Sequence, residues 1–218
     1  MRKIPKYRIA SVYQPDRYLQ GYSFCKLATD PLYQAVCAEL DGHQEPLLDL
    51  GCGIGLLAQC LRALGNEIAY IGVDSDADKI EIARTAATKR NFGDIRFEVH
   101  DLAKTFPHHR GSVALLDVLQ YLDPGTRQAL LANVARRLSE RGKAVMRIGI
   151  EDRSWRAAFA RSADRFGHKV HWMRSSFVSL PTREELSQAL HDVGLTASFR
   201  PLWGRTPFNN YLVIATPQ

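Results

Sequence analysis

Residues 47–58 read Leu-Leu-Asp-Leu-Gly-Cys-Gly-Ile-Gly-Leu-Leu-Ala, and no other stretch constrains the chain as strongly. An apolar run up to Leu50 fits a buried parallel strand, three glycines follow at alternate positions, and Leu56 opens an apolar helix. A strand, a glycine turn and a helix start make a nucleotide-type site. Glycine allows positive φ and lets a ligand lie on bare backbone, while the helix start offers N–H groups without intrahelical partners. A dinucleotide fingerprint would read G-x-G-x-x-G, its third glycine packing helix on strand. Here Gly51, Gly53 and Gly55 are followed by Leu56, so the spacing is G-x-G-x-G.

With Asp49 two residues before Gly51, the segment resembles the first motif of the class I S-adenosylmethionine-dependent methyltransferases, an acid, one residue, then G-x-G-x-G. The resemblance implies one α/β domain with a Rossmann-like, doubly wound seven-stranded sheet, mostly parallel with one antiparallel strand. It implies S-adenosyl-L-methionine as methyl donor and S-adenosyl-L-homocysteine as product. That donor carries no phosphate, so Asp49, Gly51, Cys52, Gly53, Gly55 and Leu56 would cradle its methionine and ribose portions.

Asp74 closes the apolar run Ile68–Val73 and lies 23 residues after Gly51, near the spacing at which α/β nucleotide sites place an acid on the ribose hydroxyls. Its two oxygens can accept from both hydroxyls, with Ser75 beside it. The competing reading is an N-cap for a helix from Asp76 to Lys89. Ile95–His100 alternates as a third strand, and the Asp101-Leu102 after it resembles the family's third motif, an acid for the adenine amino group and an apolar residue for the ring. Asp117-Val118, after the strand Val113–Leu116, resembles the fourth, which passes beneath the methyl donor and brings Gln120 and Tyr121 to the acceptor. A D-P-P-Y or N-P-P-Y tetrad, the mark of adenine or glutamine N-methylation, does not occur.

At 218 residues a single domain, 1–218, is expected, with residues 1–44 as a helical arm or lid and 151–178 as a substrate-cap insertion. A hydrophobic share of 45% without a run of about 18 apolar residues, and a basic N-terminus lacking an apolar signal core, point to a cytoplasmic protein. Cys25, Cys37, Cys52 and Cys60 form no C-x-x-C or zinc-type spacing, so reduced packing thiols and no metal are expected. The net charge of +6 is uneven: residues 1–26 hold six cations against Asp16, and residues 151–176 hold six against Glu151, Asp152 and Asp164. Two basic segments attract acidic partners, whether nucleic acid, an anionic substrate or an acidic carrier protein. A solvated basic face is the plainer reading.

The arm from Tyr13 to Lys26 is aromatic and interrupted by Pro15 and Gly21. It would either close over the donor, as such arms do in small-molecule methyltransferases, or dock its tyrosines on the core. Thr29-Asp30-Pro31 should start a helix running to about Asp41-Gly42. Arg147 sits inside the apolar strand 143–148, where an unpaired cation is costly, so its partner is either Asp117 or an acceptor carboxylate. Residues 151–177 mix Trp155, Arg156, His171 and Trp172 with further cations, which suits a flat, anionic or carrier-bound acceptor and also a stacked base, the competing reading being an amphipathic helix that caps the sheet edge. With Lys26–Tyr33, the Trp155-Arg156 and His171-Trp172-Met173 pairs look like bacterial methyltransferases associated with aryl-polyene-type pigment clusters, implying a phenolic acceptor on an acyl carrier protein.

Methyl transfer is an in-line displacement, so a protein serves it chiefly by alignment and exclusion of water. A phenol with a pKa of about 10 also needs roughly 4 kcal/mol to ionise at pH 7. His171, then Tyr22, are the candidate bases, and Arg147 and Arg156 the candidate anchors for an anion, with Trp155 and Trp172 beside the acceptor. The reading is methyl transfer to a small molecule. An RNA or protein methyltransferase, and a donor-binding protein without catalysis, are the readings from other classes.

Overall fold

The computed structural model describes residues 2–102, 105–152, 156, 179–204 and 206–218. Seven strands form one sheet: β1 (Leu47–Leu50), β2 (Tyr70–Asp74), β3 (Ile95–Val99), β4 (Ser112–Leu116), β5 (Ala144–Gly149), β6 (Leu195–Pro201) and β7 (Asn210–Pro217). Their order is β3-β2-β1-β4-β5-β7-β6. β7 runs antiparallel to both of its neighbours and the remaining pairs are parallel, as expected. The chain winds outward from β1 to β3, then returns to the other side of β1 with β4. That reversal opens a crevice at the carboxyl ends of β1 and β4, where open α/β sheets bind ligands.

Strand alternation sorts side chains into two cores. On β1 and β4, Leu47 and Ala114 join the cluster that includes Leu57 and Leu61 of α4 (Leu56–Ala63), Ile80 of α5 (Ala77–Thr88), and Leu32 and Val36 of α3 (Leu32–Glu39). Leu48, Leu50, Val113 and Leu115 join Leu131 and Val134 of α6 (Pro124–Arg137) and Leu186 and Leu190 of α7 (Arg183–His191). Being covered on both faces, β1 is buried at every residue, which is why it reads as a continuous run rather than as alternation. The helix starts are written in the sequence: Asp123 caps α6 with Pro124 behind it, and Thr182 with Glu185 forms a complete capping box on α7.

The arm departs from expectation. It forms α1 (Lys6–Ala10), a 3₁₀ turn at Ser11–Tyr13 and α2 (Arg17–Thr29), and α2 passes through Gly21 unbroken. Asp16 caps α2 by accepting from Leu19 N–H, and the remaining helix hydrogen bonds outweigh one exposed glycine, which costs only about 1 kcal/mol. α3 begins at Leu32, where Asp30 accepts from Leu32 N–H, and ends at Glu39, just short of Asp41-Gly42. The arm docks firmly. Ile9, Val12, Tyr13 and Leu27 enter the first core, Tyr13 Oη donates to Ile54 O at 3.0 Å, and Lys89 Nζ donates to Val12 O and Gln14 O. Among the described residues no helix is long and apolar enough to cross a membrane, and no His, Cys, Asp and Glu cluster could hold a metal.

Candidate functional site

The turns after β1, β2 and β4 meet around a cavity of about 440 Å³. Gly51, Gly53 and Gly55 all hold positive φ, at 77°, 55° and 78°. A Cβ on Gly51 would come within 2.6 Å of Val118 Cγ2, and one on Gly55 within 2.9 Å of the Phe97 ring, so two of the glycines are required by close approach as well as by φ. The N–H groups of this turn are not left for a ligand. Gly51 and Cys52 both donate to Val73 O, Gly55 donates to Cys52 O, and Gly53 donates to Asp74 Oδ2. At Gly51, Cys52, Gly53 and Gly55 the turn thus presents open backbone whose N–H groups are already bonded within the protein.

Asp74 lies on the cavity wall at the end of β2. Its Oδ2 accepts from Gly53 N–H at 3.0 Å and its Oδ1 from Asp76 N–H at 3.0 Å. Each oxygen keeps a second acceptor position, and the two backbone bonds fix the carboxylate plane. The capping role weighed for Asp74 belongs to Asp76, which accepts from Asp78 and Lys79 N–H at the start of α5. Ser75, Cys52, Leu56, Val118 and Asp117 share the wall, as do Lys79 and Tyr33, which sequence reasoning missed.

Asp49 is elsewhere. It is 2% exposed beneath the turn, outside the cavity wall, with Tyr70 Oη donating to its Oδ2 at 2.5 Å and no partner for Oδ1. Burial pushes its carboxyl up to about 7, Asp74 adds to the rise, and the Tyr70 bond opposes it. Its place makes it a support for the turn from beneath. Asp101 is exposed at the end of β3 and also outside this wall. Leu102 joins Phe106, Val118 and Leu122 around an apolar hollow that abuts the first cavity through Val118 and Leu122.

A second cavity of about 390 Å³ shares Lys26, Asp117 and Tyr121 with the first. Between them runs an ion-pair cluster. Arg147 on β5, whose side chain is 5% exposed, donates from Nε to Asp117 Oδ1 at 2.5 Å and from Nη2 to Asp117 Oδ2, while its Nη1 meets both oxygens of Asp30 at 2.7 and 2.6 Å. Lys26 Nζ lies 2.8 Å from Asp30 and 3.9 Å from Asp117. Two cations and two carboxylates neutralise one another. Of the two partners weighed for Arg147, the structure shows Asp117, joined by Asp30. Asp117 itself holds φ 64°, a left-handed conformation that aspartate tolerates and that turns its carboxylate back toward Arg147.

Tyr22 lines the first cavity from α2. Burial, then the Asp117 charge, raises its phenol above the ordinary value. Burial likewise raises the Cys52 thiol well above its ordinary value, in keeping with a packing role. Gln120 and Tyr121 line the second cavity on the 3₁₀ turn Leu119–Tyr121. Arg127, unforeseen, staples that turn by donating to Leu119 O and Leu122 O at 3.1 Å each and to Ser179 O. Arg156 stacks over the Trp203 ring, 4.8 Å from its centroid, and donates to Thr206 O at the rim. His171, Trp155 and Trp172, with most of the expected insertion at 151–178, lie outside the described residues.

The residues fit S-adenosylmethionine on the structure's own terms: a glycine cradle of open backbone, an oriented carboxylate for a diol, and an apolar hollow alongside. Sheet order, crevice and glycine turn together define the class I S-adenosylmethionine-dependent methyltransferase fold. Residues 47–142 match a family model described as a methyltransferase domain. A ubiquinone biosynthesis O-methyltransferase of Neisseria meningitidis is 32% identical over 106 residues, 44% of this chain and 44% of that protein, so the chain spans less than half of this relative. One from Rhodopseudomonas palustris is 27% identical over 185 residues, covering 78% and 70%. Ribosomal protein L11 methyltransferase of Azotobacter vinelandii is 35% identical over 89 residues, 39% of this chain and 30% of that one. Among solved structures, magnesium protoporphyrin IX methyltransferase of Synechocystis with bound SAH superposes with a TM-score of 0.70 at 17% identity, covering 97% and 93%.

Proposed function

We propose that the protein transfers the methyl group of S-adenosylmethionine to a hydroxyl of a small, phenolic acceptor. The observation that carries this reading is the pair of cavities joined at Lys26, Asp117 and Tyr121, one built on the glycine turn and Asp74. The match that extends over most of the chain is to a small-molecule O-methyltransferase, whereas the protein methyltransferase match stays within 89 residues. Presentation of the acceptor by an acidic carrier protein is supported by the exposed cations Lys3, Arg8 and Arg17 of the arm.

When bound, S-adenosylmethionine supplies an electrophilic methyl group on a sulfonium. Asp74 accepts from the ribose hydroxyls, and the open glycine backbone lets the ligand lie close. Helix α2 brings Tyr22 and Lys26 against the crevice and keeps bulk water from it. Among the described residues Lys26 is the cation that lines both cavities; Asp30 and Asp117 balance its charge, and its ammonium group can still donate to the oxygen of an acceptor hydroxyl at the seam as that oxygen gains charge.

Labelled donor incubated with fractionated lysate tests the reading: label enters organic extract, and label in RNA overturns it. Once an acceptor is in hand, Lys26→Met lowers kcat/KM at pH 7 by roughly 10- to 100-fold, with the loss shrinking toward pH 10 as the phenol ionises unaided. An equal loss at every pH excludes this role for Lys26.

A further inference from the structure

The second cavity carries a chemical demand that the first does not explain. Asn209 is 1% exposed, and its Nδ2 donates to Ile150 O and to Asp152 Oδ2, each at 2.8 Å. Both partners accept, so the amide orientation is settled, and Asn209 Oδ1 is left buried without a donor. Gln120 Oε1, in the same wall, is buried without a donor as well. Orphaned carbonyl oxygens are uncommon in folded proteins because each forfeits its hydration with no return. Two of them in one cavity wall call for hydrogen-bond donors from whatever the cavity holds. The turn under Gln120 cannot easily swing away to relieve it, since Arg127 clamps Leu119 O and Ser179 N–H donates to Gln120 O at 2.8 Å.

Charge narrows the class further. The cavity floor is the Lys26, Asp30, Asp117 and Arg147 cluster, which is neutral, and the guanidinium is already shared by two carboxylates. An anion entering here meets no uncommitted guanidinium and must approach Asp30 and Asp117. Leu180 and Phe208 add apolar wall suited to a ring.

We infer that the second cavity selects an uncharged aromatic acceptor bearing at least two hydrogen-bond donors: the hydroxyl that is methylated, at the Lys26 and Tyr121 seam, and a second hydroxyl or amino group that donates to Gln120 Oε1 or Asn209 Oδ1. This deepens the methyl-transfer reading and rests on the first cavity being the donor site. In the transfer an O–CH₃ bond forms as the sulfonium S–CH₃ bond breaks, its electron pair staying on the sulfur of S-adenosylhomocysteine; the hydroxyl proton passes to water, and the second donor is conserved and continues to hold the ring.

Three probes separate the possibilities. Catechol, phenol and benzoate are titrated by ligand-observed NMR into protein saturated with S-adenosylhomocysteine. Catechol binds roughly tenfold tighter than phenol, as one satisfied carbonyl requires, and benzoate binds most weakly. Gln120→Leu or Asn209→Leu brings catechol toward phenol while S-adenosylhomocysteine affinity, measured by calorimetry, stays within about twofold, which also shows that the variant is folded. Equal binding of catechol and phenol, tightest binding of benzoate, or binding of none of the three while S-adenosylhomocysteine still binds overturns the inference. Failure of S-adenosylhomocysteine to bind the unaltered protein overturns the donor-site reading instead.

Discussion

Replacing Arg147 with methionine separates a structural cation from a substrate anchor, the two roles its sequence position allows. The side chain is 5% exposed and lies against Asp30, 10% exposed, and Asp117, 28% exposed. Removing one partner of a buried ion pair costs about 3–5 kcal/mol, mostly from the charge left behind. Lys26 stays 2.8 Å from Asp30, and Asp117 has some access to water, so the lower end of that range applies, about 3 kcal/mol. For a chain of this size that lowers Tm by roughly 6–12 °C. Arg147→Lys keeps the charge and loses the fork, and falls between the two.

The pH dependence has a definite sign. Burial alone would raise the Asp30 carboxyl, but Arg147 and Lys26 overcome it and hold the group below its ordinary value. A depressed folded-state pKa contributes stability above the unfolded value, about 4, and loses it as pH falls. The gap between Arg147→Met and the unaltered protein, measured by urea unfolding, is therefore full at pH 7 and narrows below about pH 4. A methionine variant that unfolds within about 1 kcal/mol of the original, and only raises the acceptor KM, refutes the structural assignment.

Two further outcomes follow from burial. Asp49 moves the other way from Asp30: its raised carboxyl, about 7, means stability present below pH 4 and lost as pH climbs to 7, by roughly 4 kcal/mol. Asp49→Asn keeps an acceptor for Tyr70 and gains on the original across that window in unfolding experiments, whereas a pH-independent difference would show that Asp49 is not protonated in the fold. Iodoacetamide followed by mass spectrometry labels Cys25, which is exposed, far faster than the buried Cys52, whose thiol is pushed up by burial. Rapid labelling of Cys52 would mean that the turn opens readily.

The sheet was legible because its strands are punctuated: Leu47–Leu50 ends on glycine, Ile68–Asp74 on a carboxylate, and the helices between them begin at caps that local residues supply. Asp74 was legible from spacing, since a carboxylate at the end of β2 stands opposite the glycine turn whatever the rest of the chain does. The burial of Asp49 was not legible from its place beside the glycines, because it depends on which face of β1 the residue takes. Alternation on β1 turns Leu48 and Leu50 to one face and Asp49 to the other, under the turn and against Tyr70. Lys26 in the last turn of α2 and Asp30, the residue that caps its end, stand four apart, a pairing readable in principle, but Gly21 and Pro15 made the arm look broken. Asn209 and Arg127 could not be found locally, because their partners, Ile150, Asp152, Leu119 and Ser179, come together only when the strands and turns are assembled.

The central claim is that the glycine turn and Asp74 hold S-adenosylmethionine. Calorimetry of S-adenosylhomocysteine with the original protein and with Asp74→Ala addresses it directly. Each hydrogen bond to a charged acceptor is worth about 1.5–3 kcal/mol, so the variant should bind at least tenfold more weakly. No binding by the original protein, or equal binding by the two, would contradict the account.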